Sequence, residues 1–190
     1  SSSGWRVPAD GEPRATVNQV VIEALYCADN GWRPEMMDYL AGPIRDCGGY
    51  QTAHALWALV IAHRNGCVGD GDFQRVATEL RDELCQAQPR SFSPTQTLDV
   101  DLYAERMVMV VLSGGTHAEL DDWAARLLEL QTADGSWGMA RTGEPACYRY
   151  HATMMAAWAL ASWSSLSPPV VPTSHAEVEA DDTRGGPSHY

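Results

Sequence analysis

The chain alternates two kinds of helical segment, and that alternation restricts its fold more than any other feature. Apolar residues recur at helical spacing on one side only in three stretches. These are carried by Val17, Val20, Val21, Ala24 and Leu25, by Phe73, Val76, Ala77, Leu80 and Leu84, and by Leu120, Trp123, Ala124, Leu127 and Leu128. Between and after them come TAHALWALVIAH (52–63), LYAERMVMVVL (102–112) and HATMMAAWALASW (151–163), which are apolar nearly all round. A one-sided helix needs one neighbour, whereas a helix without a polar face must be covered on every side. The alternation therefore predicts outer and inner helices in turn, as three hairpins repeating at about 50 residues. Thr116-His117-Ala118-Glu119 opens the third outer helix with a capping-box pattern. HRNGCVGDGD and SGGTHAE read as tight turns at one end of the bundle, with longer loops at the other.

The expected domain runs from 16 to 165, and with 190 residues and 45 % apolar content the chain can build one core. Residues 1–15 are rich in Pro, Gly and Ser and read as a flexible arm; 166–190 lack an apolar period and read as a disordered tail, so His175 and His189 receive no role. A net charge of −12 repels phosphate backbones and anionic surfaces, which argues against a nucleic-acid partner. All 13 basic residues are Arg, so lysine Schiff bases, a pyridoxal cofactor and a P-loop are excluded together. No GxSxG or GxGxxG pattern occurs, and apolar runs such as Met107 to Leu112 fall far short of a membrane span.

The stretch after the third outer helix, LLELQTADGSWG, places Leu127, Gln131, Gly135 and Trp137 at the spacing LxxxQxxxGxW. ALYCADNGW (24–32) ends in a similar way, with Tyr26 where the Gln would stand; the middle copy, CQAQPRSFSP from Cys85, has neither Gln nor Trp. With these repeats the chain resembles the α/α-toroid family of terpene cyclases and protein prenyltransferase β subunits over roughly residues 16–165. That resemblance implies an all-α, incomplete α/α toroid of about three hairpins, in which the Gln and Trp tie an outer helix to the next inner one. The acidic DxDD motif of the cyclases is matched only in part, by Asp99 and Asp101 followed by Leu102. The prenyltransferase zinc site is echoed by Asp46-Cys47 before one inner helix and by His151 at the start of another.

The inner helices themselves carry few polar residues. Matching their apolar triplets levels His54 with Met107 and Met155; a shift of two places, which respects the repeat, levels His54 with Glu105 and Met155 instead. One turn earlier stand Tyr50, Asp101 and His151. The second register gathers every polar residue of three apolar helices in one patch, and it is adopted here. Two buried carboxylates need neutralising, and imidazoles with a carboxylate suit a divalent transition metal such as zinc, copper or iron. His54, Glu105 and His151 are therefore the expected metal ligands, and Asp101, Asp99 and Tyr50 the expected catalytic residues. Glu105 pairing with Arg106 or Arg149 is the structural alternative. The Met-rich runs Met107-Val108-Met109 and Met154-Met155 read as core. His63 and His117, at the tight-turn end, are expected to face solvent.

Of five cysteines, Cys27, Cys47, Cys85 and Cys147 are expected at the long-loop end, paired or as ligands; Cys67 is expected alone and too far away for a bridge. Disulfides there would favour a home outside the cytoplasm. The expected function is a metal-dependent enzyme acting on a small-molecule or peptide substrate. A metal-free cyclase with Asp99 or Asp101 as proton donor, or a non-catalytic scaffold, are the alternatives.

Overall fold

The computed structural model describes residues 17–42, 48–88, 100–138 and 146–166. The described residues are all-helical, with no strand: α1 (Val17–Leu25), α2 (Cys27–Asn30), α3 (Pro34–Ala41), α4 (Tyr50–Arg64), α5 (Asp70–Ala87), α6 (Val100–Leu112), α7 (His117–Glu129) and α8 (Ala146–Ser164). All six expected helices are present, and α2 and α3 lie between the first two. The expected arm lies outside the described residues, as does the expected tail beyond Leu166.

α4 and α6 form the centre. α4 packs against α1, α3, α5 and α6, and α6 against α4, α5, α7 and α8. Both meet the demand of their all-round apolar sequence: Ala53, Ala55, Leu56, Ala58, Leu59, Val60 and Ala62 are buried in α4, and Ala104, Met107, Val108, Met109 and Val110 in α6. Alanine at these positions lets helix axes approach closely while still removing apolar surface from water. α5 and α7 bury one stripe each, Phe73, Val76, Ala77, Leu80 and Leu84 in the first, and Leu120, Trp123, Ala124 and Leu127 in the second. The capping box at Thr116 is in place, and the Thr116 N–H donates to Glu119 Oε2 at 2.7 Å.

Cross-helix contacts fix the directions. Tyr50 meets Asp101 and His54 meets Glu105, so α4 and α6 run parallel. Glu83, late in α5, bonds Gly48 and Thr52 at the start of α4, which makes α5 the antiparallel return. At the other end Asp121, early in α7, accepts from Trp163 Nε1, late in α8. The ring nitrogen of Trp137, which follows α7, donates to Leu127 O at 2.7 Å, while its backbone N–H donates to Thr153 in α8. Gln131 donates to Gly135 O at 2.9 Å. The two Trp137 bonds tie the end of α7 to α8, and the Gln131 bond closes the loop between them.

Two expectations change. α1 is not an outer helix running against α4: Asn18 meets His54 near one end, and Asn65 donates to Ala24 O and Leu25 O at the other, so the two helices are parallel. The chain turns back through α3, whose start lies beside α1 through Arg33 and Glu23. The consequence is a Cys27–Cys67 disulfide with Cα atoms 6.2 Å apart, where Cys67 was expected alone. A parallel α1 delivers Cys27 to the tight-turn end, beside the α4–α5 turn that holds Cys67. The second change concerns α8. Its sequence is apolar all round, yet Tyr150, Met154 and Trp158 are exposed, because the helices packed on it, α6 and α7, cover only part of its circumference.

Candidate functional site

The starts of α4, α6 and α8 lie at one end of the bundle, here the mouth, and the structure brings the polar residues of these helices together there in the register of the repeat. Tyr50, the first residue of α4, donates its hydroxyl to Asp101 Oδ2 at 3.0 Å. The other oxygen, Oδ1, stands 2.6 Å from Nδ1 of His151 in α8. Asp101 lies in the first turn of α6, where a carboxylate also interacts favourably with the unpaired N–H groups of the helix terminus. With Nδ1 donating to Asp101, the ring is held in one orientation and Nε2 keeps its lone pair. Nε2 has no partner among the described residues, and the His151 side chain is 49 % exposed.

One turn deeper, Glu105 is buried in α6 with its side chain only 4 % exposed. His54 Nε2 stands 2.6 Å from Glu105 Oε1, but this oxygen has no aligned hydrogen bond among the described residues. The opposite nitrogen of His54, Nδ1, lies 3.1 Å from Asn18 Oδ1 in α1. Tyr50 and Trp57 each present a T-shaped ring contact to His54, at centroid distances of 6.3 and 5.9 Å. The mouth thus holds two His–carboxylate pairs, one half-exposed and one deep.

Neither Arg considered for Glu105 serves it through a hydrogen bond seen here. Arg106 is buried, and donates from Nε to Gly48 O at 2.6 Å and from Nη1 to Gln88 Oε1 at 3.0 Å. Arg149 bonds Asp134 and the Ser136 hydroxyl in the loop before α8. Asp134 accepts from Thr132, Ser136 and Arg149, in that order of weight, and is held well below the usual carboxylate range.

The three residues expected as metal ligands do not converge. His54 and Glu105 form one pair and His151 joins Asp101 in another, and among the described residues no group of three His, Cys, Asp or Glu has the geometry to hold a metal ion. The physical reason is the one-turn offset in the register: His151 is level with Asp101, not with Glu105. Asp99, Asp46 and Cys47 lie outside the described residues, and so does the side chain of Cys147. Cys85 is free and partly buried, and burial together with Glu119 and Asp82 pushes its thiol up to about 11, far from a reactive thiolate. Met107, Met109 and Met155 are core residues, as their sequence suggests, while Met154 is exposed.

Sequence reasoning missed two residues of the mouth. Asn18 is one, since its place beside His54 depends on the direction of α1. Gly48 is the other. Its φ of +85° is a left-handed conformation, and a Cβ there would come within 2.3 Å of Ala87 Cβ and 3.0 Å of Glu83 O. Its N–H donates to Glu83 Oε1 at 2.9 Å and to Thr52 Oγ1 at 3.2 Å, and its carbonyl takes the Arg106 bond, so this glycine joins α4, α5 and α6 just before Tyr50. The signal was present in the Cys47-Gly48-Gly49 run, which breaks the chain immediately ahead of an apolar helix.

No family model, characterised protein or solved structure matches this chain. No helix among the described residues is long and apolar enough to cross a membrane.

Proposed function

We propose that the mouth is the active site of an enzyme that moves a proton to or from a small-molecule or peptide substrate. His151 is its base, Asp101 its orienting carboxylate, and Tyr50 the residue that fixes Asp101. The observation that carries this reading is the run Tyr50 to Asp101 to His151, which ends on a half-exposed imidazole whose Nε2 has no partner among the described residues. A carboxylate behind an imidazole sets its tautomer and stabilises the imidazolium formed when it accepts a proton. Both oxygens of Asp101 serve as acceptors in this arrangement, which suits an orienting group better than the proton donor of an acid-initiated cyclase. His54 and Glu105, one turn deeper, supply a second site for a proton. The toroid reading belongs to the same proposal: α4, α6 and α8 would be an arc of inner helices with the mouth at its rim, a view supported by the parallel α4 and α6 and by the bonds of Trp137 to Leu127 and Thr153.

The test is hydrolysis of an activated ester, p-nitrophenyl acetate, by the full chain. Loss of the rate in His151→Ala and Asp101→Asn, with His117→Ala unchanged, is the expected result; equal rates in all three would overturn the reading and leave a scaffold.

A divalent metal is the second reading, favoured by the buried Glu105 oxygen that lacks an aligned partner. Zinc, copper or iron on His54, Glu105 and His151 would require His151 to leave Asp101. Elemental analysis of protein purified without a polyhistidine tag tests it: one equivalent of metal that is lost in His54→Ala supports the ion, and its absence after incubation with all three metals removes it.

A further inference from the structure

The deep pair at the mouth is connected to the far end of the bundle through α1. This helix has nine residues, shorter than a helix that holds its shape alone, and its buried side chains are Val20, Val21 and Ala24. Three sets of contacts lay it along α4. Asn18 Oδ1 faces His54 Nδ1 at 3.1 Å. Asn65 Nδ2 donates to Ala24 O at 3.1 Å and to Leu25 O at 3.4 Å. Just beyond the helix, buried Cys27 is bonded to Cys67, which is itself fixed to α4 by a backbone bond to Ala62 O at 2.9 Å. The covalent link therefore sits at the opposite end of α1 from Asn18, and a rigid helix of two to three turns joins them.

We infer that the Cys27–Cys67 disulfide is a redox latch that holds α1 along α4 and so sets Asn18 against His54, making Asn18 a positioning residue of the mouth. The inference rests on the acid–base reading for what His54 contributes. The reductant is a dithiol. One of its thiolates attacks the Cys67 sulfur, which is less buried than that of Cys27; the Cys27–Cys67 bond breaks, and Cys27 leaves as a thiolate that takes up a proton. The second dithiol sulfur then attacks the mixed disulfide. It frees Cys67 as a thiol and leaves the reagent as a cyclic disulfide, two electrons having passed to the protein. α1 then loses its covalent tie to α4, is held by packing, hydrogen bonds and ion pairing alone, and opens locally far more often.

The experiment compares the full chain, oxidised and after dithiothreitol, with Cys27→Ser and Asn18→Ala. Two signals are followed: amide hydrogen exchange, and the ring-nitrogen NMR signals of His54 and His151. Reduction and Cys27→Ser are expected to speed exchange in α1 at least about tenfold. They should also shift the His54 signals, with His151 and the exchange of α6 unchanged. In the oxidised chain Asn18→Ala should shift His54 in the same sense while α1 stays protected. Protection of α1 that survives reduction would overturn the latch. So would a uniform rise in exchange across all helices, which would make the disulfide a staple of the whole fold. His54 signals that ignore Asn18→Ala would overturn the positioning role. An esterase rate that survives His151→Ala would remove the acid–base reading and leave these readouts standing, so the two failures are distinguishable.

Discussion

The two ends of the bundle use the same residue types to opposite effect. At the tight-turn end the two described imidazoles are tied down by hydrogen bonds and ring stacking. His117 Nδ1 is 2.9 Å from Asp121 and its Nε2 is 3.2 Å from Leu166 O; His63 Nδ1 is 3.0 Å from Val68 O, its Nε2 is 3.7 Å from Asp70, and its ring stacks on Phe73 at 4.1 Å. These histidines were expected to face solvent, yet they fasten helix ends, because the turn after α4 brings Val68 O to His63, and α7 and the end of α8 bring Asp121 and Leu166 O to His117. At the mouth, capacity is left over among the described residues: His151 Nε2 has no partner there, and Glu105 Oε1 no aligned bond. A satisfied polar group contributes to the fold, whereas an unsatisfied one is available to a substrate.

The sharpest way to break this comparison is to exchange the roles. His151→Ala should lower an acid–base rate at the mouth by about 10² to 10⁴-fold, and His117→Ala should leave it within about twofold in the same ester assay; equal losses would erase the distinction. Next in size is Gly48→Ala. The added Cβ collides with Ala87 and forces a left-handed residue, so a loss of about 2–4 kcal/mol is expected from urea unfolding, with hydrogen exchange rising first in α4 and the end of α5. A stability change under about 0.5 kcal/mol would mean the junction yields.

Trp137→Phe sharpens the contrast from the third hairpin. It keeps the ring and removes the donor to Leu127 O, which retains its bond from the Leu130 N–H, for a loss of about 0.5–1.5 kcal/mol. Thermal unfolding at fixed pH is the check, and no change would show that Trp137 acts through packing alone.

The smallest effect is pH dependence at the tight-turn end. The Asp121 carboxylate, followed by the Leu166 carbonyl, raises His117 above its ordinary 6.5. A raised folded-state value contributes stability that is complete below the unfolded value and is lost as pH rises through the folded one. The melting temperature of the wild type should therefore fall slightly relative to His117→Gln as pH rises from about 6 to 9, an effect reduced by solvent screening. A difference that stays flat across that range would show that the ring is not protonated there.

Much of the fold was legible in the chain. The six described helices longer than α3 can be read from periodicity because hydrophobic burial acts residue by residue along a helix. The capping box at Thr116 and the Trp137–Leu127 bond are local too, closing over 3 and 10 residues. The level of Tyr50 with Asp101 and of His54 with Glu105 was legible as well, since each helix carries its polar residues one turn apart and parallel helices keep that spacing in register.

What the chain determined by itself is thus the identity of its helices and the polar band they carry. Tertiary structure alone decided that α1 runs with α4, that Cys27 meets Cys67, that Asn18 faces His54, and that the expected ligands divide into pairs. The reason is physical. A helix buries the same stripe whether it runs up or down, so periodicity carries no direction, and pairings that span 36 to 51 residues depend on that direction and on offsets of a single turn.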